Sequence, residues 1–278
     1  MAEPAGRPTL SVGERLRPYR VILGARMRAQ RQYRASFVTD IVGTLLVGVT
    51  EFAEVWAVFH NVPVFGGLTY GQAIVVFALS NLCFSLADML VGHLDTLPQV
   101  IRAGQVDAYY VRPLPVLAQF MTSDISLRRI GRLAVALVLL VVGLAMAQVA
   151  WSPAKGALLV LSIVSGTVIF SALFTVAGGA QFFLINGPEF TNGFTYGGSY
   201  SAQQPQPIFP DPVRIFWTFV IPTAFVAYLP TIVLLDLPGD GFVPRWLAWA
   251  SPAAALASCA LAGLVWRFGT RHYQGGGG

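Results

Sequence analysis

Charged residues are scarce in this chain: they make up 11% of its 278 residues, whereas ordinary soluble domains contain about 25%. Hydrophobic residues make up 55% of the chain, and the mean hydropathy is +0.64. A composition of this kind excludes a typical water-soluble enzyme or binding domain. It predicts an all-α integral membrane protein with a single membrane domain.

Cysteine and histidine are also rare, with two cysteines and three histidines in the whole chain. Each cysteine lies alone inside an apolar run, and the histidines are far apart in sequence. Because no CxxC pair and no Cys/His cluster is present, neither a zinc site nor a disulfide framework is predicted.

Nucleotide-binding and hydrolytic motifs are missing as well. The sequence contains no GxxxxGK[ST] phosphate loop, no GxSxG elbow and no HExxH helix. We therefore expect the chain to be neither an ATPase nor another enzyme, and to hold no cofactor or metal of its own. A membrane-embedded enzyme that processes lipid stays an alternative, although the serines of residues 197–201 have no evident base beside them.

Long apolar runs are abundant. A membrane span takes about 20 mostly apolar residues, and we predict spans at residues 37–58, 73–91, 133–150, 157–183 and 246–266. A further apolar stretch, residues 215–235, contains Pro222 and Pro230. Each proline removes a backbone donor and disfavours helix at the residue before it. The stretch therefore predicts either a kinked span or two short re-entrant helices.

The segment before that stretch, residues 187–203 (GPEFTNGFTYGGSYSAQ), is too polar for a helix that faces lipid. It is either a loop or a span that other helices shield and that lines a cavity. In one topology, residues 215–235 are the fifth span and 187–203 a cytoplasmic loop. In the other, 187–203 are the fifth span and 215–235 enter from outside and return. Both topologies have six spans and both termini on one side.

Basic residues predict the orientation. Eight arginines lie in the first 34 positions, five in the connection between the second and third spans, and two near the C-terminal end. The other three of the 18 basic residues are Lys155, Arg214 and Arg245. Because cytoplasmic loops carry the excess of Lys and Arg, we predict that both termini and this connection are cytoplasmic. This placement is favoured over a nucleic-acid-binding surface, so no nucleic-acid partner is expected.

The N-terminal arm, residues 1–36, alternates arginines with apolar residues after Pro18. Such a pattern is typical of an amphipathic helix that lies in the plane of the inner interface and contacts anionic lipid. A plain basic flank without defined structure is the alternative.

Carboxylates interrupt the first span. At 100° per residue, Glu51, Glu54 and Thr44 all fall within about 40° of Asp40 around a helix. Because ionisable groups are costly in lipid, this face is predicted to point to protein or water. Either it lines a translocation path, or Asp40 and Glu54 sit near the two interfaces and only Glu51 is deep.

The polar connection between the second and third spans contains the stretch HLDTLPQVIRAGQVDAYYVRPLP, residues 93–115. A short helix is predicted at residues 97–103, with Gly104 at a position that suits a helix end. A second short helix is predicted to begin near Gln105 and to end before Arg112. We expect a compact polar knob rather than an ordinary loop.

Three separated motifs resemble one family. The pattern IRxGxxDxxxxRPxxxL, from Ile101 to Leu117, the stretch IFPDPVRIFWTFVIPTAFVAYLP at residues 208–230, and the ending WRFGTRHYQGGGG occur in order. Together they resemble the type-2 ABC exporter permeases, most closely the branch that carries the first signature. Val213 stands where that branch has leucine, and residues 187–203 are more polar than the family pattern.

The resemblance implies a membrane subunit of an ATP-driven exporter in a bacterial cytoplasmic membrane. Two such permeases, identical or related, would pair with two cytosolic ATPase subunits that bind the ATP and Mg. It also implies an in-plane N-terminal helix, a six-span domain over residues 37–268, a coupling segment at 93–128, a re-entrant hairpin at about 208–236 and a cytoplasmic tail at 269–278. It favours residues 187–203 as the fifth span.

In that family the connection after the second span forms a coupling helix that sits in a groove of the ATPase. Carried over to this sequence, the ATPase-coupling residues are Asp95, Leu97, Gln99, Ile101, Arg102, Gly104 and Asp107. The polar members are expected to pair with the ATPase, and Leu97 and Ile101 to anchor it through apolar contacts. The candidate translocation path contains Asp40, Thr44, Glu51 and Glu54. A membrane scaffold without transport activity stays a further alternative.

Overall fold

The structure is a computed structural model, and it describes residues 34–112, 115–123, 129–184, 188–239 and 241–273. Outside these ranges lie nearly all of the predicted N-terminal arm, residues 113–114 and 124–128 of the predicted coupling segment, and the glycines at the C-terminal end.

The described residues are helical almost throughout. In chain order the α-helices are α1 (Arg34–Asn61), α2 (Tyr70–Val91), α3 (Leu97–Arg102), α4 (Asp107–Tyr110), α5 (Val116–Ser123), α6 (Ile130–Met146), α7 (Pro153–Ala180), α8 (Pro188–Gln203), α9 (Asp211–Ile215), α10 (Tyr228–Leu234) and α11 (Ser251–His272). Two short antiparallel strands, β1 (Val64–Phe65) and β2 (Leu68–Thr69), connect α1 to α2.

Four helical stretches of the described ranges are long and apolar enough to cross a membrane: Val38–Asn61, Tyr70–Arg102, Pro153–Ala180 and Arg245–His272. Two further helical stretches, Asp211–Val220 and Thr223–Leu234, form a bent pair. If this pair counts as one span, the number of candidate spans is five. Helix α6 is apolar but has 17 residues. These helices confirm an all-α, multi-pass membrane protein, and the count of six spans stays a prediction.

Helix α2 lies at the centre of the bundle. In its most apolar stretch 83% of the residues are buried, against 11% in α1. Helices α6, α7 and α8 pack around α2, and α1 packs mainly on α6. Phe84 of α2 contacts Phe170 and Phe174 of α7 at ring distances of 5.3 and 5.6 Å. Helix α1 is therefore the most peripheral of the long helices, and α2 carries the core.

Glycine allows the closest helix contacts. A Cβ atom added to Gly269 of α11 would lie 2.5 Å from the carbonyl oxygen of Gly179 in α7 and 2.9 Å from the Phe182 ring. A Cβ added to Gly131 of α6 would lie 2.4 Å from the carbonyl oxygen of Ile41 in α1. Small residues let membrane helices approach in this way, so these positions set the α7–α11 and α1–α6 distances.

Replacing Gly269 by alanine is expected to destabilise the bundle by about 1–3 kcal/mol, because the added methyl group overpacks the α7–α11 contact. Thermal unfolding in detergent measures the effect. Gly263→Ala in the same helix is the matched control, since a Cβ there meets no atom within 4 Å and alanine favours helix. Equal melting temperatures for the two variants would contradict this account of the contact.

The stretch of residues 215–235 is broken, as its prolines predict. The two halves of the bent pair meet at 71°, and Ile221, the residue before Pro222, has an extended backbone with φ −115° and ψ 101°. The second predicted interruption, at Pro230, is absent. Pro230 occupies the first turn of α10, where a helix needs no backbone donor.

The polar segment 187–203 is a helix over the residues that the structure describes. Helix α8 begins at Pro188 and ends at Gln203, and it packs against both α2 and α7. Thr195, Ser199 and Ser201 are buried along it. Residues 188–203 are therefore not an irregular loop, and their role as the fifth span stays a prediction. Other helices shield these three polar side chains, as packed membrane helices do, whereas Glu189 and Asn192, nearer the start of the helix, are exposed.

Candidate functional site

The polar connection folds into a knob, defined here as residues 92–110. A 3-10 turn at Gly92–Thr96 leads into α3, and α4 follows. Helix α3 ends as predicted: Gly104 has φ +65°, Gln105 N donates to Val100 O at 3.0 Å, and Gly104 N donates to Ile101 O at 3.0 Å. These two bonds form a Schellman ending, which stops the helix and reverses the chain.

The predicted coupling residues divide between the outside and the inside of the knob. Gln99, Arg102 and Asp107 are exposed, and Ile101, Gly104 and Asp95 are half-buried. Leu97 is fully buried. Its side chain therefore supports the knob from within and offers no exposed apolar anchor, whereas Gln99, Arg102 and Asp107 form an exposed polar face.

Aromatic contacts attach the knob to the bundle. The Tyr109 ring stacks on Phe120 of α5 at 4.5 Å, and the His93 imidazole donates to the carbonyl oxygen of Phe120. Tyr110 Oη donates to Thr270 O of α11 at 2.7 Å. The knob is thereby held to α5 and to the end of α11.

Burial and a neighbouring charge both raise the pKa of the Tyr110 hydroxyl. Burial raises its pKa above the ordinary value, and the neighbouring Asp107 carboxylate adds to the increase. The hydroxyl therefore stays protonated near neutral pH and keeps its role as the donor to the α11 carbonyl.

A second polar region lies deep in the bundle, around Glu51 of α1. Its carboxylate forms an ion pair with Arg132 of α6, and the two side chains are 12% and 14% exposed. The Arg132 guanidinium also lies 5.0 Å from the centre of the Phe84 ring and donates to Asn81 Oδ1 at 3.4 Å. Buried charges within membrane helices need partners of this kind.

A cavity of about 150 Å³ opens beside this ion pair. Helix α1 contributes Glu51 and Glu54 to its wall, and the end of α8 contributes Gln203. Gln203 Nε2 donates to Ser199 Oγ at 3.2 Å and to Asn81 Oδ1 at 3.5 Å. The rest of the wall is mainly apolar and aromatic: Val55, Val58, Phe59, Phe65, Ala73, Phe77, Gln204 and Pro205. The cavity thus joins carboxylate and amide groups to aromatic rings.

The four residues predicted to share one face of α1 do not all line this cavity. Glu51 and Glu54 line the cavity wall, but Asp40 is about 21 Å from Glu54 along the helix axis. Thr44 Oγ1 donates to its own helix at Ile41 O and packs against Gly131. Within the described ranges, no cluster of His, Cys, Asp or Glu side chains has the makings of a metal site.

The sequence did not predict that Arg132, Asn81 and Gln203 belong to this polar region. Arg132 is one of the five arginines assigned to the connection before the third span, yet its guanidinium lies inside the bundle. A carboxylate deep in a membrane helix requires a cation nearby, and this rule could have predicted a basic partner for Glu51. Arg132 stands at the edge of the third apolar run and was therefore a candidate cation for Glu51.

Comparison with known proteins gives one family. A family model described as "ABC-2 family transporter protein" matches residues 45–277. No curated protein and no solved structure matches the chain. The matched region contains the knob, the Glu51–Arg132 pair and the cavity.

Proposed function

The chain belongs to the ABC-2 transporter family and is a membrane permease subunit of an ABC transporter; we propose that it exports a hydrophobic or amphipathic compound and receives the energy of ATP through the knob. It is a transport subunit and not itself the ATPase. We further propose that it assembles with two cytosolic ATPase subunits, which bind ATP and Mg, and with a second permease, in a bacterial cytoplasmic membrane. We also propose that both termini are cytoplasmic, since most arginines lie near the two ends of the chain and in the connection between the second and third spans.

The observation that carries the coupling proposal is the construction of the knob. Its outer surface presents Gln99, Arg102 and Asp107, while Leu97 and Val106 are buried beneath them. A polar, charged surface on a well-packed base is suited to a protein partner, because charged pairs across an interface set orientation and specificity. We propose that this surface inserts into the ATPase.

The mechanism follows from two-state coupling. ATP binding closes the two ATPase subunits together, and the knob moves with them. The knob continues directly from α2, the central helix, so its displacement pushes on the core of the permease. The knob must make different contacts with the ATPase in the two states, because a ligand shifts a conformational equilibrium only through differential affinity.

The cavity beside Glu51 supports the proposed class of cargo. Its wall combines Glu54 and Gln203 with the rings of Phe59 and Phe77. A compound with one polar and one apolar part satisfies both kinds of wall, which is typical of ligand pockets. We propose that this cavity is the part of the translocation path inside one permease. Asp40 and Thr44 then lie on the same helix face, nearer the cytoplasmic end.

Co-purification tests the proposed function. The chain should be produced together with a phosphate-loop ATPase encoded beside its gene, extracted in mild detergent and isolated through a tag on the chain. We expect a stoichiometric complex whose ATP hydrolysis falls when the permease is omitted. A chain that binds no ATPase and turns over lipid alone supports the enzyme alternative, and one that binds an ATPase without changing its activity supports the scaffold.

A further inference from the structure

One residue of the knob is bonded to the polar helix α8. Tyr196 Oη of α8 donates to Asp95 Oδ2 at 3.2 Å. Asp95 lies in the 3-10 turn at the base of the knob and is half-buried. The partners are 101 residues apart in sequence, so only the packed bundle brings them together. Asp95 thereby contacts a helix of the bundle through a bond at its surface, whereas Gln99 and Arg102 are exposed on the knob.

The same tyrosine begins an unbroken series of contacts that ends at the cavity. The Tyr196 ring lies 5.7 Å from the Phe84 ring, and the Arg132 guanidinium lies 5.0 Å from the centre of that ring. Arg132 in turn forms the ion pair with Glu51, and Glu51 lines the cavity wall. Each contact is polar or aromatic, and each joins two different helices or turns.

Helix α8 reaches the cavity by a second route. Tyr196 and Gln203 lie seven residues apart on α8, which is two turns of the helix, so they share one face. Gln203 lines the cavity and donates to Asn81 Oδ1, the acceptor that Arg132 also uses. A rigid-body shift of α8 therefore moves Gln203 together with Tyr196.

From this geometry we infer that Tyr196 and Asp95 are positioning residues, which transmit the position of the knob to α8 and so to the polar wall of the cavity. The inference rests on the proposed function, since it presumes that an ATPase moves the knob. When the knob moves, Asp95 carries the Tyr196 hydroxyl with it. Helix α8 and the Phe84–Arg132–Glu51 series then rearrange, and the cavity changes its shape.

Contacts in series do not by themselves demonstrate coupling; a response of one site to the other does. A reporter residue in the cavity detects that response. Val58 lines the cavity and is 40% exposed, so Val58→Cys is open to a small thiol reagent. Exposed Cys259 is replaced by alanine, and Cys83, which is buried, is kept.

The complex with its ATPase is reconstituted in nanodiscs, and the rate of N-ethylmaleimide labelling at position 58 is measured by mass spectrometry without nucleotide and after trapping with ATP and vanadate. We expect trapping to change this rate by about fivefold or more, the usual size of a coupling between sites. Tyr196→Phe keeps the ring and loses the hydroxyl. It is expected to abolish most of that change while ATP hydrolysis continues.

Tyr200→Phe is the matched control: it is the same substitution one turn along α8, and Tyr200 is 51% exposed, against 37% for Tyr196, whose hydroxyl makes the bond to Asp95. It is expected to leave the response to trapping intact. A full response in Tyr196→Phe overturns the inference and leaves the proposed function standing. No response with Tyr196 present overturns the proposed coupling function and the inference together. Equal melting temperatures of the two variants establish that lost response reflects transmission and not loss of fold.

Discussion

Replacing Arg102 and Asp107 together by alanine is expected to weaken binding of the ATPase subunit by about 100-fold, if each charged side chain contributes about 1.4 kcal/mol at the interface. ATP-driven transport should stop as a consequence. Both residues are exposed on the knob, so the permease itself should fold and reach the membrane as before. The affinity of the purified ATPase for the permease in nanodiscs measures the effect.

Gln105→Ala is the control for that experiment. Gln105 is exposed in the same knob and carries no charge, so its loss removes side-chain atoms without an ion pair. The proposed coupling role is wrong if the double variant binds the ATPase as tightly as Gln105→Ala does. It is also wrong if permease-dependent ATP hydrolysis stays at the level of the unaltered chain.

Replacing Arg132 by methionine is expected to destabilise the protein by about 3–5 kcal/mol, because it leaves the Glu51 carboxylate buried without its cation. Both side chains are nearly enclosed, so water does not compensate well for the lost charge. Thermal or denaturant unfolding in detergent measures the loss. The cavity wall next to Glu51 should become disordered in the same variant.

A second substitution separates the ion pair from simple packing. Adding Glu51→Gln to Arg132→Met removes the unpaired charge and should restore most of the stability, because a buried pair replaced on both sides costs little. Arg245→Met is the matched control. Arg245 pairs with Asp236 at 3.9 Å, the two side chains are 44% and 63% exposed, and exposed pairs contribute about 1 kcal/mol or less. Equal losses in the Arg132 and Arg245 variants would contradict this account of the deep pair.

Local features of the fold were predictable from the sequence. Long apolar runs predicted helices α1, α2 and α7 to within four residues at each end and α11 to within six, and Gly104 predicted the end of α3. Pro222 predicted the break in the stretch before the last helix. Each of these features depends only on residues close together in the chain. A proline breaks a helix because it lacks a backbone donor, and a glycine ends one because it adopts positive φ.

The short hairpin before α2 was also within reach of the sequence. Gly66 and Gly67 both have positive φ and connect β1 to β2. Paired positive-φ residues are the signal of a two-residue hairpin turn, and the Gly-Gly pair is visible in the sequence.

Contacts between distant residues were out of reach. Glu51 meets Arg132 across 81 positions, and Asp95 meets Tyr196 across 101. The helical period placed Glu51 on a polar face, but several arginines could have served as its partner. Which one does depends on the packing of α1 on α6, and the closeness of that packing depends on Gly131.

The sequence by itself determined the class of protein, the apolar helices, their breaks and the polar knob, because composition and short-range periodicity govern each of these. The tertiary structure decided what the polar residues do. It turned Leu97 inward, it bonded Asp95 to α8, and it made residues 188–203 a helix in which other helices shield Thr195, Ser199, Ser201 and Gln203. Those outcomes depend on which helices become neighbours, since a buried polar group is stable only where another helix supplies its partner.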